Sequence, residues 1–416
     1  MALNKLLILW ILLLAPALLV AQDTSTIVST FKQKNIDTTG QKDLIDVFRT
    51  VFKPKTKRND IKLDQKEDKV YFSFLPTASA LPSGGGKMFV TSTTASFYMG
   101  NEQTTNISNI SFTPYFNLNG RFGLPLRSSV WLNDNKWYIA GDTRFLVYPQ
   151  DTWGLGGGTP ESARMRVDYK YIRFYQSLLR RIKPYFFAGV GYNLDYHMRI
   201  KTNHDAPELD DASGYIFGTA QGQNSFSSGV TLNLLYDTRN NSINPLPGCY
   251  ANLVYRYNST LLGSTRPWSS LYADVRKYIA LDETKPSRQN TLAFWTYFWT
   301  TLDRGTPYLS LPAVGWDFYN TSGRGLEQNR YRGQALWYTE AEYRRSITRN
   351  GLLGFVLFAN VTTVNEPDTR QFNYFHPAAG GGLRIKVNKA SNTNIAIDYG
   401  MSKGFSSIRF GLGEAF

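Results

Sequence analysis

Residues 321–349 read TSGRGLEQNRYRGQALWYTEAEYRRSITR, a glycine-punctuated loop running into a stretch whose two faces are chemically opposite. Taking alternate residues from Ala335, one face carries Ala335, Trp337, Thr339, Ala341 and Tyr343; the other carries Leu336, Tyr338, Glu340, Glu342 and Arg344. Successive side chains of a β-strand point to opposite sides of the sheet, so this period of two describes a strand with one face suited to lipid and one to a wet, charged interior. A soluble sheet alternates too, but seldom sets two carboxylates and an arginine in register behind an aromatic face. The stretch predicts an all-β fold, a transmembrane antiparallel β-barrel.

The rest of the chain agrees. Lys5 precedes an apolar run from Leu6 to Leu14, and small residues follow at Ala15, Ala17 and Ala21 before Gln22-Asp23. This is the pattern of a secretory signal peptide over 1–21, and the run is short for a membrane anchor. The residue directly after Ala21 is Gln22 and not cysteine, which argues against a lipoprotein. Beyond residue 21 nothing approaches the roughly 20 consecutive apolar residues of a spanning helix, yet 15% of the chain is aromatic and 34 residues are glycine. A closed barrel is the remaining way to cross lipid without unpaired backbone groups. The single cysteine, Cys249, excludes an internal disulfide. A formal charge of +14 would admit nucleic acid or anionic lipid as partner. The basic residues are dispersed through alternating stretches rather than gathered in an arm, so outer-membrane lipid is the expected partner and nucleic acid is not. The densest cluster, Arg180-Arg181 with Lys183, reads as a turn at the membrane surface.

Residues 22–69 form a short polar leader with one amphipathic piece, Asp43 to Phe52, whose Leu44, Val47, Phe48 and Val51 recur at helical spacing. It fits a segment packed on the barrel rim; a plug inside the barrel is the sharper alternative. From 70 to 416 about sixteen strands are expected, bounded by turn residues. They run 70–79, 87–99, 107–118, 123–132, 136–148, 163–176, 183–198 and 226–237, then 249–262, 269–281, 290–303, 334–346, 351–364, 378–389, 394–402 and 406–416. Several repeat the two-faced pattern. Met165, Val167, Tyr169 and Tyr171 oppose Arg166, Asp168 and Lys170; Leu271, Ala273, Val275 and Ile279 oppose Asp274 and Arg276; Leu383, Ile385 and Val387 oppose Arg384 and Lys386. In each, the charged set is expected inside. The long connections at 149–162, 199–225, 304–333 and 365–377 all follow odd-numbered strands, so they share one side, taken as the outside of the cell.

Arg324-Gly325, Arg330-Tyr331-Arg332-Gly333 and then Glu342 and Arg344 resemble the sixth extracellular loop and twelfth strand of the BamA/TamA outer-membrane assembly superfamily, the bacterial surface antigen family. The tract Tyr148 to Gly156 is similar to that family's third extracellular loop. Asp237-Thr238-Arg239-Asn240 with Pro245, Pro247 and Gly248, between the eighth and ninth strands, resembles its periplasmic turn. The resemblance implies a loop folded back into the barrel, with Arg324 buried against carboxylates of the lumen; the plainer alternative is a solvated loop arginine. A buried guanidinium needs paired acceptors, and a carboxylate matches its fork. This sequence has Leu326 where the family has an aromatic. It has Phe358-Ala359-Asn360-Val361-Thr362 where the family's strand thirteen carries Phe-x-Asp-x-Gly. Glu340 or Glu342 is therefore expected to supply the counter-charge, with Asn360 accepting through its carbonyl oxygen. A terminal aromatic on the outward face, Phe416 after Phe410 and Leu412, resembles the signal by which barrels are recognised for assembly.

Function follows the same line. The glycine runs 84–86, 156–158 and 380–382 lack the helix and Gly-Lys-Ser/Thr ending of a phosphate loop and suit hairpins or bends in a barrel wall. His197, His204 and His376 fall near expected loop ends without a nucleophile motif or ligand spacing, so no enzyme, metal site or cofactor is expected. The family resemblance implies insertion or translocation of proteins at the outer membrane of a Gram-negative bacterium, with client outer-membrane proteins and other assembly subunits as partners. The short leader leaves no room for that family's periplasmic POTRA modules. This favours the alternative, a passive channel or accessory structural subunit of a larger complex.

Overall fold

The computed structural model describes residues 40–51, 70–80, 87–117, 120–132, 134–202, 209, 213–217, 224–245, 247–282, 288–318 and 320–416. The signal-peptide residues, most of the leader, His204 and the glycines 84–86 lie outside these. The strands are β1 (Tyr71–Ala80), β2 (Lys87–Phe97), β3 (Ser108–Phe112), β4 (Tyr115–Phe116), β5 (Phe122–Leu132) and β6 (Trp137–Val147). Next come β7 (Gln150–Thr152), β8 (Met165–Lys183), β9 (Phe186–Thr202), β10 (Ser225–Asp237), β11 (Gly248–Asn258) and β12 (Trp268–Ala280). The last are β13 (Asn290–Thr301), β14 (Ala335–Ser346), β15 (Leu353–Val364), β16 (His376–Asn388), β17 (Thr393–Ser402) and β18 (Phe405–Leu412).

These eighteen pieces form one antiparallel sheet with sixteen positions around it. β3 and β4 both pair with β2 and β5, so they are one strand interrupted at Thr113-Pro114. β6 and β7 both pair with β8, interrupted at Tyr148-Pro149. Proline has no N–H to give to a ladder, so a break there is the local consequence of the sequence. The sheet curls until β1 and β18 lie side by side. Every other neighbouring pair is joined by a ladder register, with local shifts in β8–β9 and β16–β17, whereas among the described residues no register joins β18 to β1. β1 carries Pro76, and Gly411 sits late in β18, both weak strand residues.

Faces follow the period of two over most of the wall. On β14, Leu336, Tyr338, Glu340, Glu342 and Arg344 are buried inside while Ala341 is exposed outside. On β12, Asp274 and Arg276 face inward; on β16, Arg384 and Lys386 do. β8 reverses the expectation. Its Met165, Val167, Tyr169 and Tyr171 are the buried set, and Arg166, Asp168 and Lys170 point outward. This end of β8 adjoins the long connections, where the outward face can meet water and the inward face packs on loop side chains such as Leu309 and Trp316. Arg180, Arg181 and Lys183 are not a turn either: β8 continues through Lys183 and the chain reverses at Pro184-Tyr185. His197 is no loop residue. It lies on β9, buried and stacked on Tyr171 with ring centroids 4.4 Å apart.

The leader's amphipathic piece is a helix, α1 (Leu44–Val51). Asp43 caps it, accepting from the Asp46 N–H at 2.9 Å. It sits on two hairpin turns: the Lys42 N–H donates to Asn350 O (3.0 Å), and Lys389 donates from its N–H to Asp43 (3.0 Å) and from Nζ to Asp46 (2.7 Å). The hydrogen bond from Lys389 holds the Asp46 carboxyl below its usual pKa. Those turns join β14 to β15 and β16 to β17, so α1 lies on the barrel's rim.

Candidate functional site

The connection from β13 to β14 turns back into the barrel rather than outward. Its two limbs pair with each other: Val314 N–H donates to Tyr331 O (3.0 Å) and Asn329 N–H to Val314 O (3.0 Å). Between the limbs the chain makes a tight turn, with Gly323 at φ +71° and Gly325 at φ +83°, a region that glycine enters without a Cβ penalty. That turn carries Arg324 to the inner wall, where it is 2% exposed.

Three strands supply the pocket for its guanidinium. Glu340 and Glu342 of β14 both accept from Nη2, and Asp398 of β17 accepts from Nη1 at 2.9 Å. The Phe358 ring of β15 lies beneath it, 3.8 Å from Cζ to the ring centre. From there the charges continue as a chain. Arg344 donates to Glu342 (2.5 Å) and to the Phe416 carbonyl (2.9 Å), while Arg384 binds both Asp398 (2.5 Å) and Glu414 (2.7 Å). Such an array is held in place by mutual pairing, because each charge left alone away from water is strongly penalised.

Both carboxylates expected from the sequence thus bind Arg324. Asn360 contributes in the opposite sense to the expected one: its Nδ2 donates to the Arg324 carbonyl at 2.9 Å. It fastens the loop backbone, and a third carboxylate for the guanidinium comes from Asp398. Asp398 carries little signal in the sequence, standing alone in Asn394-Ile395-Ala396-Ile397-Asp398, although it is the inward residue of an alternating strand. The run 380–382 is also part of the site. A Cβ on Gly380 would run into the Phe358 ring and Tyr399 O, and one on Gly382 into Asp398, so β16 is bare where these groups need space. Leu326 is buried in the cluster that holds Tyr297, Tyr338 and Trp295.

Asn360→Asp, although it restores the family residue, is expected to weaken the lock. It removes the amide donor and sets a carboxylate against the Arg324 carbonyl. The loss of about 1–3 kcal/mol would appear as a lower urea midpoint in lipid vesicles. An unchanged or higher midpoint would show that residue 360 serves the guanidinium instead.

A second charged wall braces the loop from the other side. Arg144 is bidentate to Asp142 (2.7 and 2.5 Å) and reaches the loop at Phe318 O and Asn320 Oδ1, both 3.0 Å. Arg256 binds Asp195 at 2.5 Å, and Arg173 lies 3.3 Å from Asp142. Asp142 and Arg144 stand two apart on β6, the same signal as Glu340 and Glu342, and could have been singled out on that ground. The tract 148–156 grips the loop further out. Tyr148 donates to Gln328 (2.8 Å), Asn329 to Gln150 (2.8 Å) and Gly156 N–H to Arg332 O (2.8 Å). Between the loop and the β1/β18 seam lies a cavity of about 380 Å³, lined by Ser92, Thr94, Ser111, Arg127 and Arg409 among others.

The turn between β10 and β11 is ordered by its own charges. Arg239 is bidentate to Asp237 (2.9 and 2.8 Å) and lies 4.1 Å over the Tyr250 ring. Pro247 and Gly248 lead into β11, and the Gly248 Cβ position is 3.2 Å from Thr238 O. The turn reaches across to the chain's end, where Glu414 N–H donates to Ile243 O at 2.9 Å. The C-terminal expectation is corrected in part. Phe410 does face outward on β18, but Phe416 lies beyond the strand and is buried, its ring 5.2 Å from that of Trp295. Gly413, at φ +89°, lets the chain depart from the strand, and the Arg344 bond to the Phe416 carbonyl holds the tail inside.

Comparison with known proteins agrees with this architecture. Residues 92–306 match the family model described as the Omp85 superfamily domain. No curated protein matches the chain. Among solved structures, CdiB from Acinetobacter baumannii is similar at 11% identity and a TM-score of 0.51, over 83% of this chain and 60% of that one. CdiB from Escherichia coli gives 10% and 0.54, over 82% and 62%. BamA from Haemophilus ducreyi lacking POTRA domains 1–3 gives 14% and 0.49, over 83% and 69%. At these identities the CdiB likeness concerns the fold alone, and the chain spans about 60% of the length of those proteins.

Proposed function

We propose, because this chain belongs to the Omp85 superfamily, that it inserts or translocates polypeptides at the outer membrane of a Gram-negative bacterium and is not an enzyme. The observation that carries the reading is the seam. β1 and β18 are adjacent without a ladder register, and a cavity of about 380 Å³, lined by apolar side chains such as Leu75, Val90 and Leu146 together with Ser92, Thr94 and Ser111, lies behind them. Unpaired strand edges are templates for another strand, so an incoming chain could pair there while its inward side chains face a cavity of mixed polar and apolar lining. The locked loop supports the rest of the wall while the seam remains weak. Client outer-membrane proteins are the proposed substrates, and other subunits would deliver them.

The alternative, a passive channel or accessory barrel, is disfavoured by the loop, whose Val314, Leu326 and Phe318 pack into the lumen core. Two assays separate the readings. The purified protein in liposomes is expected to accelerate folding of a test barrel and to show no steady conductance in a planar bilayer. Steady conductance without acceleration would mean a channel. In the native host, depletion followed by quantitative mass spectrometry should lower many outer-membrane barrels together. Loss of one protein would mean a dedicated translocator, and loss of none an accessory role.

A further inference from the structure

The helix α1 is attached to the barrel by its polar side. Its contacts are made through Lys42, Asp43 and Asp46, while Ile45, Phe48 and Val51 are 37%, 60% and 68% exposed. Spaced by three, these residues share one side of the helix. The neighbouring turn continues the apolar surface with Ile347, 58% exposed, and β15 continues it up the outer wall with Leu353 and Leu357. Cations surround it: Lys42 and Arg49 at the helix and Arg345 and Arg349 at the turn are all exposed. An apolar helix edge framed by lysine and arginine, at the foot of a lipid-facing wall, has the composition of a segment lying in a membrane interface.

We infer that α1 is an interfacial helix, resting on the inner leaflet of the outer membrane with its apolar edge at the acyl boundary and the surrounding cations on anionic phospholipid headgroups. Lys389 and Asn350 fix it to the rim, so the leader is fastened to barrel and bilayer at once. A protein surface is the competing occupant. Lipid is favoured because the apolar edge is continuous with the lipid-facing strands and the exposed charges beside it, Lys42, Arg49, Arg345 and Arg349, are basic, while Asp43 and Asp46 are engaged by Lys389.

The test uses the full chain with Cys249→Ser and Val51→Cys, labelled with an environment-sensitive fluorophore. The protein is refolded into vesicles of phosphatidylethanolamine and phosphatidylglycerol, and heat-modifiable migration verifies the barrel independently of the helix. Brominated lipid is expected to quench the label strongly and aqueous iodide weakly, and replacing phosphatidylglycerol with phosphatidylcholine should reverse the order. Arg345→Glu with Arg349→Glu should weaken the lipid quenching. Ile45→Cys provides a second labelling site if the first variant does not refold. Quenching by iodide alone, in a folded barrel, would overturn the inference by placing the helix in water. Protection from both quenchers would overturn it in favour of a protein surface.

Discussion

Arg324→Ala is expected to be the most damaging single substitution in the barrel. The change leaves Glu340, Glu342 and Asp398 facing one another without the guanidinium that joins them. Breaking a buried ion pair by removing one partner costs about 3–5 kcal/mol, and here three carboxylates lose the same partner. Arg344 and Arg384 still bind Glu342 and Asp398, so Glu340 is the group left most exposed to the loss. The expected result is a barrel that unfolds at much lower urea, releases its loop to protease and loses its insertion activity. Arg324→Lys should recover little, because an ammonium cannot serve three carboxylates from the fork positions that Nη1 and Nη2 occupy. Wild-type midpoint and protease resistance in Arg324→Ala would show that the loop is held by its packing and its outer hydrogen bonds alone.

Gly400→Ala is expected to unseat the same loop without touching a charge. A Cβ at Gly400 would lie 2.6 Å from Gly325 N and 2.9 Å from its Cα, and one at Gly325 would lie 2.6 Å from Met401 N. These are backbone atoms of two segments pressed together, so neither can move aside alone. Overpacking of this kind costs about 1–3 kcal/mol, and a shift of the turn would draw Arg324 off Asp398, adding part of the ion-pair cost. Gly411→Ala is the matched control, since nothing lies within 4 Å of its Cβ position. Differential scanning of both variants in vesicles, with proteolysis of the loop, should separate them clearly. Equal behaviour would mean that β17 and the loop yield more readily than their contact distances suggest.

Much of the fold follows from alternation alone. Sixteen expected strands correspond to the sixteen positions of the sheet, because a barrel wall imposes a period of two on every strand and turn residues mark its ends. The inward side of β12, β14 and β16 was legible because lipid excludes charge, leaving only one face for Asp274, Glu340 or Arg384. The same rule misassigned β8, where the wall rises beside the long connections and its outward face is free to carry Arg166 and Asp168. Sequence distance hid the rest. Asp398 lies 74 residues from Arg324 and in a different strand, and only closure of the sheet brings β17 against the β13–β14 loop. Nothing local to Asn360 indicates that it donates to a backbone carbonyl, nor that Phe416 turns inward after Gly413. The order of faces along each strand was therefore determined by the sequence, through the chemistry of lipid and water on either side. Which charge meets which was decided by the curvature of the wall, because pairing across a lumen depends on the register of strands far apart in the chain.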